Sequence, residues 1–183
     1  MSAMDVLDKV DLASLAIVKY PQPVLRRPAQ EVTEFGPKLR ALAARMFQIM
    51  YAARGVGLAA PQVGLPLRMF VANPGEGPET EAVFINPRII KTEGQLQEEE
   101  GCLSLPGLNT TIKRCESVTI QAQDLDGRPL ERIGAGLLAR VFQHETDHLN
   151  GVMIADRMSA VSRLAHRRLL KELEEKFAAE KSG

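Results

Sequence analysis

The segment Gln143-His144-Glu145-Thr146-Asp147-His148 constrains this chain more than any other stretch of its sequence. Two histidines four residues apart on a helix project from one face, one turn apart, so their imidazole nitrogens can converge on one metal ion. Glu145 lies between them, where a carboxylate can reach a metal-bound water. The flanking Leu137, Leu138, Val141, Phe142 and Leu149 predict that this helix is buried, and buried histidines need partners. A solvated pair of histidines is the weaker reading.

A catalytic metal site generally has three protein ligands and an open position. One continuation of the motif supplies a third histidine after a glycine, but here Gly151 is followed by Ile154 at the histidine's place. Another supplies a glutamate from a later helix. Glu172 and Glu174 are available, in a charge-rich segment that reads better as a solvated face. Cysteine is the remaining option. Cys102, in Glu98-Glu99-Glu100-Gly101-Cys102-Leu103-Ser104-Leu105-Pro106, is the better candidate of the two cysteines present. Its glycine neighbour permits close backbone approach. A small buried hydrophobe is the bland alternative for Cys102, and the better reading for Cys115. Residue type alone leaves the third ligand open.

The run Gly55-Val56-Gly57-Leu58-Ala59-Ala60-Pro61-Gln62 matches a loose dinucleotide fingerprint. That reading requires a strand before and a helix after. Here a helical pattern precedes it and Pro61 disfavours a helix at Ala60. A glycine-lined loop carrying the Gln62 amide to a cleft is the better interpretation.

Around these segments the pattern predicts an amphipathic helix from residue 37 to about 54, with Leu39, Leu42, Ala43, Met46, Ile49 and Met50 inward. Strands are predicted over 67–72, 82–87 and 117–123, the last running into the turn signal Asp126-Gly127. The metal-binding helix should span about 136–150. A final amphipathic helix should span about 159–181, with Leu164, Leu169, Leu170, Leu173 and Phe177 on its apolar side. Residues 18–28 are punctuated by Pro21, Pro23 and Pro28 and should form an extended arm on the core. The expectation is an α+β fold over residues 1–183 as a single catalytic domain. Antiparallel strands would surround a central metal-binding helix, with one helix before them and one after.

Basic and acidic residues balance at 23 each, which argues against a generic DNA or polyanion binder. The N-terminus lacks the features of a signal peptide, and no apolar run approaches membrane-spanning length. The expected location is the cytoplasm.

Taken together, Gly55 to Gln62, Glu100 to Ser104 and Gln143 to His148 resemble, in order, the three motifs of the peptide deformylases. Tyr20-Pro21-Gln22-Pro23-Val24-Leu25-Arg26 resembles that family's N-terminal arm, and the similarity runs from about residue 17 to about 159. The resemblance implies removal of the formyl group from formyl-methionyl nascent polypeptides, with release of formate. It implies that Cys102, His144 and His148 hold ferrous iron, for which zinc, nickel or cobalt can substitute. A metal-bound hydroxide would attack the formyl carbon. Glu145 would act as general base and then acid, and the Gln62 amide and Leu103 backbone N–H would stabilise the oxyanion. The peptide would lie extended along the backbone near Val56, Gly57 and Gly101, with Leu137, Val141 and the His144 ring around the methionine side chain. Asn109 stands where many members carry a basic residue.

The rival reading from the metal motif is a metallopeptidase cutting internal bonds, in which a cysteine ligand has no role. A structural zinc domain would need a fourth ligand such as Cys115 or His166. Residues 157–181 carry three more basic than acidic residues, with Arg163, Arg167 and Lys171 on one face. A solvated surface is the preferred account of this face. Docking at the ribosome, as the resemblance implies for some members, is the alternative.

Overall fold

The computed structural model describes residues 3–75 and 77–182. A short helix α1 (Ala3–Asp8) and the arm precede α2 (Pro37–Ala52). Pro37 suits the first helical position, where its missing N–H costs nothing. Seven residues of α2 are buried, including every inward position predicted from the periodicity. The strands follow: β1 (Gly57–Ala59), β2 (Met69–Ala72), β3 (Ala82–Glu93), β4 (Leu96–Cys102), β5 (Leu105–Arg114), β6 (Ser117–Gln123) and β7 (Pro129–Ala135). Then come α3 (Leu137–Leu149), the single turn α4 (Ile154–Arg157) and α5 (Ala160–Ser182).

β1, β2, β3, β6 and β7 form an antiparallel sheet in that order, while β4 and β5 form a separate hairpin. α3 packs between the two. Its Phe142 meets Phe84 edge-on at 4.9 Å, and Phe84 stacks on Phe70 at 4.8 Å. These rings join helix to sheet with an attraction that adds to their burial. On the other side, Leu25, Leu105, Leu108, Ile112 and Met153 form a further apolar cluster under the hairpin, closed by Leu169, Leu170 and Leu173 of α5. The helix carrying both histidines is therefore held between two layers, in the α+β arrangement expected.

Several expectations are corrected. The strand predicted to end at Pro87 runs on to Glu93. A bulge between Ile85 and Arg88 accommodates the proline. Asn86, at φ 51°, braces the bulge by accepting from Val32 N–H and donating to the Val32 carbonyl, both at 2.8 Å. Leu164, expected on the apolar side of α5, is 71% exposed, because the helix meets the hairpin through residues 169, 170 and 173. Leu137, expected to help bury α3, is half exposed at the mouth of a cleft.

The arm lies on the core as anticipated, with Leu25 fully buried, but it is not extended throughout: Pro23–Arg26 wind into a single 3-10 turn, for which the proline at its first position is suited. Val18 N–H donates to the Gln62 carbonyl at 2.8 Å and Tyr20 N–H to the Ser104 carbonyl at 2.9 Å. The Lys19 ammonium reaches the Leu103 carbonyl at 3.0 Å. The Tyr20 hydroxyl donates to Glu174 of α5 at 2.5 Å.

Candidate metal centre

α3 and the end of β4 bring three donor atoms together. His144 Nε2 and His148 Nε2 are 3.2 Å apart, and Cys102 Sγ is 3.3 Å from His148 Nε2. All three donors lie within 4.8 Å of one another. In a tetrahedral site with metal–nitrogen bonds of about 2.0–2.1 Å and a metal–sulfur bond of about 2.3 Å, donors stand roughly 3.3–3.6 Å apart. The chain thus presents most of a ligand tetrahedron, with one sulfur and two nitrogens facing a common point. Among the described residues these three are the group that fits a metal cofactor. Cys115 lies elsewhere, its N–H bonded to Gln143, and His166 bonds within α5 to the Ser162 carbonyl.

The site is braced by charges to which sequence reasoning assigned no role. His144 Nδ1 meets Glu100 Oε2 at 3.1 Å. Glu100 is 5% exposed and also takes Arg114 at 2.9 and 3.0 Å and Arg140 at 2.9 Å. Arg114 continues to Asp147 at 2.6 Å, and Asp147 to Arg157. Burial pushes the Glu100 carboxyl up, but hydrogen bonds from His144 and Arg114 outweigh it and hold the group down at about 2. His148 is pushed well below the ordinary histidine range by burial and by His144, which favours the neutral, ligating form. Its Nδ1 has no hydrogen-bond partner among the described residues.

Glu145 points from α3 toward β1. It is 4% exposed, and burial raises its carboxyl to about 7, against the pull of His144 and with the Glu100 charge acting in the same direction. A carboxyl at that value can exchange a proton near neutral pH. Gly57 makes room for it: a Cβ there would lie 2.5 Å from Glu145 Oε1 and 2.9 Å from Val141.

Gln62 sits in the turn following β1, 1% exposed. Its Oε1 accepts from Ala59 N–H at 2.9 Å, so its amide nitrogen is the end turned to Cys102 Sγ at 3.8 Å and Ser104 Oγ at 3.4 Å. Leu103 occupies the turn that joins β4 to β5, beside Cys102.

A cleft of about 400 Å³ opens over this cluster. Val56, Gly57, Gln62, Gly101, Cys102, Leu103, Leu137, Val141, His144 and Glu145 all line it, as does Asn109. Of the predicted site residues only His148 is absent from its wall, because His148 lies beneath His144, 1% exposed. β1 is the outer strand of the sheet and β4 belongs to a two-stranded hairpin, so the cleft is flanked by two strand edges.

A buried carboxylate beside a two-histidine, one-cysteine donor set, in an open cleft of an α+β fold, defines a metal-dependent hydrolase. The model of the family described as polypeptide deformylase matches residues 14–164. The chain is 52% identical over 158 residues to a peptide deformylase of Acidobacterium capsulatum, covering 85% of this chain and 93% of that one. Among solved structures, the Plasmodium falciparum peptide deformylase superposes with a TM-score of 0.86 at 41% identity, covering 89% of this chain and 97% of the other. Arabidopsis thaliana peptide deformylase 1B, in complex with an inhibitor, gives 0.88 at 40% identity, covering 92% and 95%. The chain belongs to the polypeptide deformylase family, a family of metal-dependent hydrolases. The alternative of a metallopeptidase cutting internal bonds is not favoured.

Proposed function

We propose that this chain removes the N-formyl group from formyl-methionyl nascent polypeptides, with Cys102, His144 and His148 holding the metal. The observation that carries the assignment is the convergence of those three donors with the Glu145 carboxyl and the Gln62 amide on one cleft. The metal supplies Lewis acidity for hydrolysis of the formyl amide when bound. Thiolate with imidazole suits several ions; ferrous iron is the proposed physiological one, and zinc, nickel or cobalt are substitutes.

Glu145 takes the proton from the attacking water and returns it to the leaving amine, for which a carboxyl near 7 is well placed. The Gln62 amide and the Leu103 N–H donate to the oxygen that gains negative charge. The peptide adds as an extended strand between the edges of β1 and β4, bonding to the backbone near Val56, Gly57 and Gly101. Such contacts are blind to side-chain identity. Leu137, Val141 and the His144 ring enclose the methionine side chain.

The cytoplasm is the proposed place of action, and among the described residues no helix is long and apolar enough to cross a membrane. A ribosomal contact through α5 would use Arg163, Arg167 and Lys171. Arg163 donates to the Ala155 carbonyl at 2.7 Å and Lys171 pairs with Glu175 at 3.5 Å, which favours a solvated face. The deciding experiment is deformylation of a formyl-methionyl peptide by anaerobically prepared protein, with metal analysis of the same sample. Formate release in proportion to iron is expected. Full activity without stoichiometric metal would overturn the assignment.

A further inference from the structure

Behind α3, on the side away from the cleft, lies a second cavity of about 610 Å³ that shares no lining residue with the first. It is bounded by β3, the end of β5 and the rear of α3, and its size falls in the range of small-molecule sites. Its charge is lopsided: Arg68, Arg88, Lys113, Arg114 and Arg157 line it, against the single carboxylate of Asp147. That carboxylate is already shared by Arg114 and Arg157, and Arg114 also serves Glu100. Arg88 meets Glu31 at 2.9 Å. Arg68 donates to uncharged acceptors, Asn150 Oδ1 and the Pro87 carbonyl, both at 3.0 Å. Burial lowers its pKa and the like charge of Arg88 adds to the effect, against the pull of the Glu31 carboxylate, so a further anion beside it would relieve what remains. Thr146 lines the same wall, 7% exposed.

Guanidinium forks and an ammonium are hydrogen-bond donors. Together they match a compact, multiply charged oxyanion, and arginine is suited to bidentate phosphate recognition. We propose that this rear cavity is a binding site for a phosphate group, carried by inorganic phosphate or by a small phosphate monoester. Arg68 and Lys113, neither of which makes a direct ion pair with a carboxylate among the described residues, provide the charge. Because α3 separates the cavity from the cleft, occupancy does not compete with a peptide substrate.

The test uses the metal-loaded protein and isothermal titration with inorganic phosphate, adenosine 5′-monophosphate and a short RNA oligonucleotide. Arg88→Glu with Lys113→Glu alters two exposed side chains at the cavity. Arg168→Glu with Lys171→Glu makes the same change in net charge on α5. Saturable binding of phosphate is expected, weakened roughly tenfold or more by the first pair and less than roughly twofold by the second. Deformylation of a short formyl peptide should be unchanged in both. Binding of the monophosphate at least as tight as that of phosphate, with the same sensitivity, identifies a monoester ligand. Weaker monophosphate binding identifies the free anion. Absence of saturable phosphate binding, equal weakening by both pairs, or tighter binding of the RNA than of either small probe would overturn the proposal. Melting temperatures of both variants, compared with the parent, establish that each is folded when titrated.

Discussion

Glu100 Oε2 lies 3.1 Å from His144 Nδ1, on the ring nitrogen opposite the one that faces Cys102 and His148. A carboxylate in that position fixes the imidazole's tautomer and orientation and raises its basicity as a ligand. The same carboxylate is the hub of two buried arginines. Glu100 thus ties the alignment of a donor to the cohesion of β4, β5 and α3.

Replacing Glu100 by glutamine should therefore affect two measurements at once. Metal affinity should fall about 10- to 100-fold, as when such a supporting carboxylate is removed. Stability should fall by about 3–5 kcal/mol, because Arg114 and Arg140 lose a buried counter-charge. Chelator competition reads the first and urea unfolding of the metal-loaded protein the second. Unchanged affinity in a folded variant would detach Glu100 from the metal.

Cys102→Ala should abolish both metal content and activity, whereas Cys115→Ala should leave both near normal. Cys115 stands beside the rear cavity, with its backbone tied to Gln143 and its thiol outside the donor cluster. Metal analysis and formate release on the two variants distinguish the sites. Equal losses would sink the assignment of Cys102.

Glu145→Gln keeps the shape of the side chain but cannot accept a proton. The variant should retain metal and lose activity by about 10²–10⁴-fold, the usual contribution of a general acid–base group. Single-turnover rates with metal content measured in parallel check this. Near-normal turnover would remove Glu145 from the proton path.

The face of α5 can be tested by reversing Arg163, Arg167 and Lys171 to glutamate together. If α5 docks on the ribosome, co-sedimentation should weaken in the variant, and added salt should weaken the parent in the same way. Activity on a short formyl peptide should be unaffected in either case. Unaltered ribosome binding would leave the solvated-face account standing.

The sequence is most legible where its signals are local. α3 runs from Leu137 to Leu149 against an expected 136–150, and β6 matches its expected span, because caps and periodicity are carried by neighbouring residues. The two histidines are one turn apart for the same reason. The β4–β5 hairpin was not anticipated. Its first strand reads Gln97-Glu98-Glu99 with all three side chains exposed, and its identity comes from pairing with residues 109–114 rather than from any pattern of its own. The ion-pair roles of Glu100, Arg114 and Asp147 are illegible for a related reason: each is an ordinary charge in its own segment. Only the fold places Arg114 2.6 Å from a carboxylate 33 positions away. A buried arginine at the end of the alternating strand β5 was the one local hint.

The arm and α5 are fastened to each other as well as to the core. Burial and the hydrogen bond to Glu174 push the Tyr20 phenol up, so it stays protonated and donates, joining positions 20 and 174. Between those positions the polypeptide is closed into a ring by a side-chain clasp, one residue of which also bonds through its backbone to Ser104. The clasp belongs to both halves of the chain, so shortening either one to a point inside the ring undoes it. The arm also grips the backbones of Gln62 and Ser104 through the N–H groups of Val18 and Tyr20. In this architecture the segment around Tyr20 and the helix turn around Glu174 brace one another, and neither can be altered as though it were packaging.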